Sequence, residues 1–215
     1  MAAPASAPPR AERIQLLVFF IIVRFLEMTL GKVQTPRQKT EDDMSKILSL
    51  PMMTTHLLHS VAFTGHRYYA FEQQARLGAL LQELYTEGFR HFISGMAVGF
   101  DLAAAEAVIE LRSRCGDVTL ECAVPYEGFE RGFSPEDAER FGRIVAEADT
   151  VTCLAGRYSE GVFRRRNDYL VDSCSLVVAW WDGSRSGTGY TVARARRQSR
   201  PVVNLYPSLQ LDLGL

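Results

Sequence analysis

Between residues 60 and 206 the chain alternates short apolar runs with segments of helical period, and few folds tolerate that alternation. The apolar runs fall at 60–64, 91–94, 118–124, 150–154, 176–181 and 201–206. Each is too short for a helix and too continuously apolar for a strand with one wet face, so they predict strands buried on both faces. Helical spacing fills the gaps at 71–87, 101–112, 135–148, 162–172 and 191–199. In the first of these Ala75, Leu77, Leu80, Leu81 and Leu84 follow a helical period and Gly88 marks the stop. Ser134-Pro135-Glu136-Asp137 is a start signal, with a Ser cap, Pro in the first position and acids in the first turn. Strands that alternate with helices must be joined by crossovers, which lay helices on both faces. The expected fold class is therefore α/β: a Rossmann-like three-layer α/β/α arrangement with a mainly parallel sheet of about six strands.

The alternation does not extend to the start of the chain. All three lysines (Lys32, Lys39, Lys46) precede residue 50, whereas from residue 51 onward the basic residues are 17 arginines against 20 Asp and Glu. The expected organisation is a leader over 1–55, poorly ordered or weakly amphipathic, and a Rossmann-like domain over 56–215. The leader contains an apolar run from Leu16 to Val23, broken by Arg24. A membrane-spanning helix needs about 20 apolar residues, so no transmembrane span is expected. No small-residue cleavage site follows the run, and a membrane-surface anchor stays open as an alternative. Upstream sequence joined by a mis-assigned start is a further reading, with Met44, Met52 or Met53 as initiator. Four scattered cysteines without a CxxC pair argue against a disulfide framework or a zinc site, and reduced thiols in a core point to the cytoplasm.

In a parallel sheet, ligands gather where the strands end at the carboxyl edge. The loops there are informative. Asp182-Gly183-Ser184-Arg185-Ser186-Gly187-Thr188-Gly189 combines three glycines and three hydroxyls between a strand and a helix, the composition of a phosphate seat. Ser94-Gly95-Met96-Ala97-Val98-Gly99-Phe100-Asp101 repeats the design after the second strand, with Asp101 placed to cap the next helix or meet a ribose hydroxyl. After the first strand, Thr64-Gly65-His66-Arg67 offers an arginine for bidentate phosphate contact and a histidine that can donate or accept. Arg164-Arg165-Arg166-Asn167-Asp168 opens the fourth helix on the same rim, but at 100° per residue only one or two of the arginines can face a pocket. Trp180 and Trp181 end a strand and are expected to pack in the core, with one of them shelving a base as the alternative. The alanine-rich stretch 102–107 would suit a homodimer seam.

These motifs, together with Val124-Pro125-Tyr126 and the run from Arg166 to Asp172, resemble the YpsA-like proteins of the SLOG superfamily, Rossmann-like domains related to DprA and to the LOG phosphoribohydrolases. The resemblance covers roughly 60–207. It implies a nucleotide or nucleotide-derived ligand held by the two glycine loops and, for YpsA-like members, no well-defined reaction. LOG enzymes carry a glutamate after their glycine loop, and Thr191 stands at the corresponding position here, which removes electrostatic help for cleaving an N-glycosidic bond. The acidic balance after residue 50 weakens a DprA-like reading, because phosphate neutralisation dominates affinity for DNA.

The expectation is thus a nucleotide-binding sensor or regulatory module without a defined catalytic residue, cofactor or metal. Phosphate is expected on Gly95 to Gly99 and Ser186 to Gly189, clamped by Arg67 and Arg166, with Asp101 or Asn167 reading ribose. The alternatives are a nucleotide phosphoribohydrolase and a single-stranded DNA module.

Overall fold

A computed structural model describes residues 59–69 and 73–207. The expected leader, its apolar run and the first residues of the predicted 71–87 helix lie outside the described residues.

Six strands form one sheet: β1 (Ser60–Gly65), β2 (His91–Ser94), β3 (Thr119–Val124), β4 (Thr150–Cys153), β5 (Leu176–Trp180) and β6 (Val202–Asn204). Every pairing is parallel and the order is β4-β3-β2-β1-β5-β6. The helices are α1 (Gln74–Thr86), α2 (Phe100–Cys115), α3 (Pro135–Glu147), α4 (Val162–Asp172) and α5 (Gly187–Arg197), with a 3-10 turn at Phe129–Gly132. The chain steps outward from β1 to β4, then returns to place β5 on the other side of β1. The strand order therefore reverses between β2 and β5, around β1, which is where this architecture opens its crevice.

Alternation of side chains along each strand divides the core in two. On one face Phe63 and Phe92 stack at 6.1 Å and Phe63 meets Phe100 of α2 edge-on at 6.3 Å. There α2 lies across the central strands, flanked by α1 and α3. On the other face small residues (Ala62, Ala123) accompany Ile93 and Val177, and α4, the turn after it and α5 pack down onto them through Leu170 and Val171, Cys174, and Ala195. This is the expected three-layer Rossmann-like α/β/α fold.

Three local expectations change. The predicted 191–199 helix begins at Gly187, four residues earlier, because Ser186 caps it by accepting from Gly189 N–H at 3.1 Å. Two glycines of low helix propensity hide that first turn from a reading by periodicity. The 150–154 run forms an edge strand and is largely exposed. The proposed seam over 102–107 is unavailable: Leu102, Ala103, Ala104, Ala105 and Ala107 are buried within the chain because α2 is the central helix of its layer. Glu106, the remaining residue, is held by both arms of Arg140 from α3, at 2.9 and 2.7 Å.

No helix among the described residues is long and apolar enough to cross a membrane. The four cysteines are free, and burial pushes the Cys122 and Cys174 thiols up to about 12.

Candidate functional site

The carboxyl ends of β1, β2 and β5 bring three of the predicted loops to one edge of the sheet, and the first turns of α4 and α5 join them. Thr64 and Gly65 finish β1, with Thr64 buried and Gly65 packed against the Phe100 side chain. His66 follows and spans the reversal point. Its N–H donates to Trp180 O at 3.1 Å, and its Nε2 stands 2.8 Å from Asp182 Oδ1 and 3.2 Å from Asp182 N. Asp182 Oδ1 also accepts from Ser184 N–H at 2.8 Å. Those Ser184 hydrogen bonds, aided by His66, hold the Asp182 carboxyl down at about 2. Trp181 braces the same turn by donating Nε1–H to Ser184 O at 2.8 Å, whereas Trp180 is core.

The loop after β2 is closed from within. Ser94 Oγ donates to Asp101 O at 2.8 Å and accepts from Met96 N–H at 3.1 Å. Met96, at φ 59, takes a left-handed conformation while fully buried, which costs on the order of 1 kcal/mol and persists only because the surroundings dictate it. Gly99 has φ +91, and a Cβ there would collide with Arg67 O. The backbone carbonyl of Arg67, not its exposed guanidinium, is what touches this loop. A Cβ on Gly95 would stand 2.7 Å from both Arg166 Nη1 and Asp101 Oδ2. Two of the first three N–H groups of α2 are also taken: Phe100 donates to His66 O at 3.2 Å and Leu102 to Ala97 O at 3.3 Å.

Arg166 is the centre of this closure. It is only 8 % exposed, donates Nη1–H to Gly95 O and Nε–H to Asn167 Oδ1 (2.8 Å), and faces Asp101 Oδ2 at 3.8 Å. Asp101 is 3 % exposed; its Oδ2 accepts from Ala97 N–H at 3.4 Å and its Oδ1 is buried without a hydrogen bond. Burial pushes the Asp101 carboxyl up to about 6, against the pull of Arg166 and of the Ala97 and Gly65 N–H groups. Burial likewise lowers the Arg166 guanidinium, with Asp101 opposing.

The loop before α5 is different. Residues 182–187 are exposed, and nothing approaches a Cβ on Gly187 more closely than Asn167 Nδ2 at 3.5 Å. Ser186 claims Gly189 N–H, while the Gly187 and Thr188 N–H groups have no partner among the described residues. Asn167 ties the loop to α4 by donating Nδ2–H to Gly187 O at 3.2 Å. Thr188 is buried, and Thr191 is fully buried with its hydroxyl donating to Gly187 O at 3.0 Å. The structure thus joins His66 with Asp182, Arg166 with Gly95 and Asp101, and Asn167 with Gly187. It leaves the Arg67 side chain apart on the surface.

Two clusters were not singled out from the sequence. Glu121, buried in β3, accepts from Tyr169 Oη–H and Thr152 Oγ1–H (2.6 Å) and lies 3.1 Å from His91 Nε2. Burial pushes its carboxyl up, but these hydrogen bonds prevail and hold it below the usual range. A glutamate inside an otherwise apolar strand was the available signal. The second is a group of partly exposed rings, Tyr126, Tyr158 and Phe163, beside the start of α4. Among the described residues no cluster of His, Cys, Asp and Glu is arranged to hold a metal ion.

The chain is 25% identical over 155 residues to the SPbeta prophage-derived protein YoqJ of Bacillus subtilis, covering 65% of this chain and 91% of that protein. It is 26% identical over 161 residues to a UPF0398 protein of Halalkalibacterium halodurans, covering 69% and 82%. In fold it is similar to DNA processing protein A (DprA) of Streptococcus pneumoniae, with a TM-score of 0.53 at 18% identity over 91% of this chain and 83% of that one. DprA of Helicobacter pylori, described in its single-stranded DNA binding mode, gives 0.53 at 17% identity over 97% and 82%. The YpsA family model, that of the YspA SLOG family, matches residues 66–209, a span that carries all the loops meeting at this sheet edge except the end of β1. The chain belongs to the YpsA family of SLOG proteins.

Proposed function

We propose that this protein binds a nucleotide or nucleotide derivative and acts as a ligand sensor or regulatory module, with the phosphate seated on the first turn of α5. The observation that carries the reading is the pair of unclaimed N–H groups on Gly187 and Thr188, at a capped helix start beside the reversal of strand order. A helix N-terminus adds a partial positive charge there, and an open Gly187 lets an oxygen approach the backbone. Membership of the SLOG family and the DprA-like fold support nucleotide or nucleic-acid binding as the broad class. Thr191, buried and bonded to Gly187 O, supports binding over cleavage because it offers no carboxylate to a ribosyl cation. The four free thiols support a reducing, cytoplasmic setting.

Thermal unfolding of the full-length chain with a panel of 5′-mononucleotides tests this. Ligand at a hundredfold excess over Kd stabilises by about 2.7 kcal/mol, a rise of several degrees. Gly187→Val is expected to fold and to abolish the shift. The absence of any shift in the wild type overturns the proposal. If an oligonucleotide binds in a salt-dependent way and mononucleotides do not, the single-stranded nucleic-acid reading suggested by the DprA likeness replaces it.

A further inference from the structure

The described surface exposes four large apolar side chains, and two of them sit in one cluster: Tyr158 at 62 % exposure and Phe163 at 39 %. Their rings meet at 6.2 Å, and each meets Tyr126, at 5.6 and 6.1 Å. Phe163 is backed at 5.8 Å by Phe129, which is buried and itself packs on Phe133 at 4.9 Å. The inner side of this group is anchored in the core while its outer side is open. Clusters of exposed aromatic carbon on a folded domain mark contact sites.

Its position says what it contacts. Phe163 stands on α4 four residues before Asn167, about 6 Å along the axis, and Asn167 is bonded to Gly187. Arg164, the next residue, stacks over the Tyr190 ring at 4.9 Å and donates to Tyr190 Oη at 3.1 Å, which fastens α4 to α5 beside the phosphate seat. Phe163, which carries the cluster, and Asn167, which holds the loop with the free N–H groups, thus share one face of α4, and that face leads from the rings to the phosphate seat. The phenol groups of Tyr126 and Tyr158 can bond base edges, and the exposed Arg157 and Arg165 lie next to Tyr158 and two residues after Phe163 in sequence. An aromatic surface flanked by polar groups suits a nucleobase, whose flat faces stack and whose edges hydrogen-bond.

We propose that Tyr126, Tyr158 and Phe163 form the base-binding shelf of a nucleotide whose phosphate sits on the first turn of α5. This rests on the nucleotide reading above. Calorimetric titration of the full-length chain with the four common 5′-mononucleotides and with ribose 5-phosphate tests both ideas separately. At least one mononucleotide is expected to bind the wild type roughly tenfold or more tighter than ribose 5-phosphate. The double variant Tyr158→Ala/Phe163→Ala is expected to bind both kinds of probe equally, at the wild-type affinity for ribose 5-phosphate, while Phe163→Tyr keeps the preference. Both residues are surface-exposed, and retained affinity for ribose 5-phosphate verifies that the variant is folded. A mononucleotide preference that survives the double substitution overturns the shelf and leaves the nucleotide reading standing. So does a wild type that binds all five probes alike. If the wild type binds none of the five, both proposals fall.

Discussion

The loops after β2 and before α5 share a design in the sequence, strand then small residues then helix, yet they do opposite things. In the first, the spaces that Gly95 and Gly99 open are filled by Arg166, Asp101 and the Arg67 carbonyl, and the Phe100 and Leu102 N–H groups at the start of α2 already have acceptors. In the second, the loop is exposed, Gly187 faces open space except for Asn167, and two N–H groups are unclaimed. The difference comes from a partner remote in sequence. Arg166 sits 71 positions from Gly95 and closes that loop, whereas Arg164, which reaches the first turn of α5, engages the Tyr190 side chain and leaves the Gly187 and Thr188 N–H groups open. Glycine in such a loop can serve close packing of the chain on itself or close approach of a ligand, and only the tertiary neighbour decides which.

The comparison breaks most readily at Gly99. Gly99→Ala forces a Cβ into the Arg67 carbonyl at a positive φ and is expected to cost about 3–5 kcal/mol, a fall of roughly 10 °C in Tm. A stable Gly99→Ala protein would mean that the first loop is as open as the second. The closed loop should also carry a pH signature. Asp101, held near 6 when folded against an ordinary 3.8, disfavours folding at neutral pH, and that penalty vanishes as pH falls through 6 towards 3.8. Denaturant titrations of wild type and Asp101→Asn should therefore diverge, the wild type gaining up to about 3 kcal/mol relative to the variant between pH 7.5 and 4. A constant difference across that range refutes the buried-carboxylate account. Asp182 titrates near 2, below this window, and loses its contribution only at lower pH. The smallest effect belongs to the open loop: Ser186→Ala removes the cap from Gly189 N–H and should cost about 1 kcal/mol, read as a few degrees in Tm.

Most of the fold was legible because strands buried on both faces leave unbroken apolar runs, and 176–181 or 91–94 could hardly be read otherwise. The start of α5 was not, since Gly187 and Gly189 disguise a helical turn that a side-chain cap creates. The exposed character of β4 was hidden too, because edge position depends on strand order rather than on composition. At the site, the sequence indicated which loops meet but not which are already occupied. Arg166 read as a phosphate clamp, and its burial against Gly95 and Asp101 depends on a crossover that local pattern does not encode. The rings at 126, 158 and 163 were invisible as a group because three separate segments supply them.

Arg166 and Asn167 are consecutive, yet one reaches the loop after β2 and the other the loop before α5. Consecutive helical residues point about 100° apart, so this dipeptide works as a fork whose two tines are aimed by the helix itself. A single-residue insertion or deletion early in α4 would swing both tines by that angle and detach both loops together, even if every side chain were kept. Substitutions in this helix can be judged one at a time, but its length upstream of residue 166 has to be inherited whole.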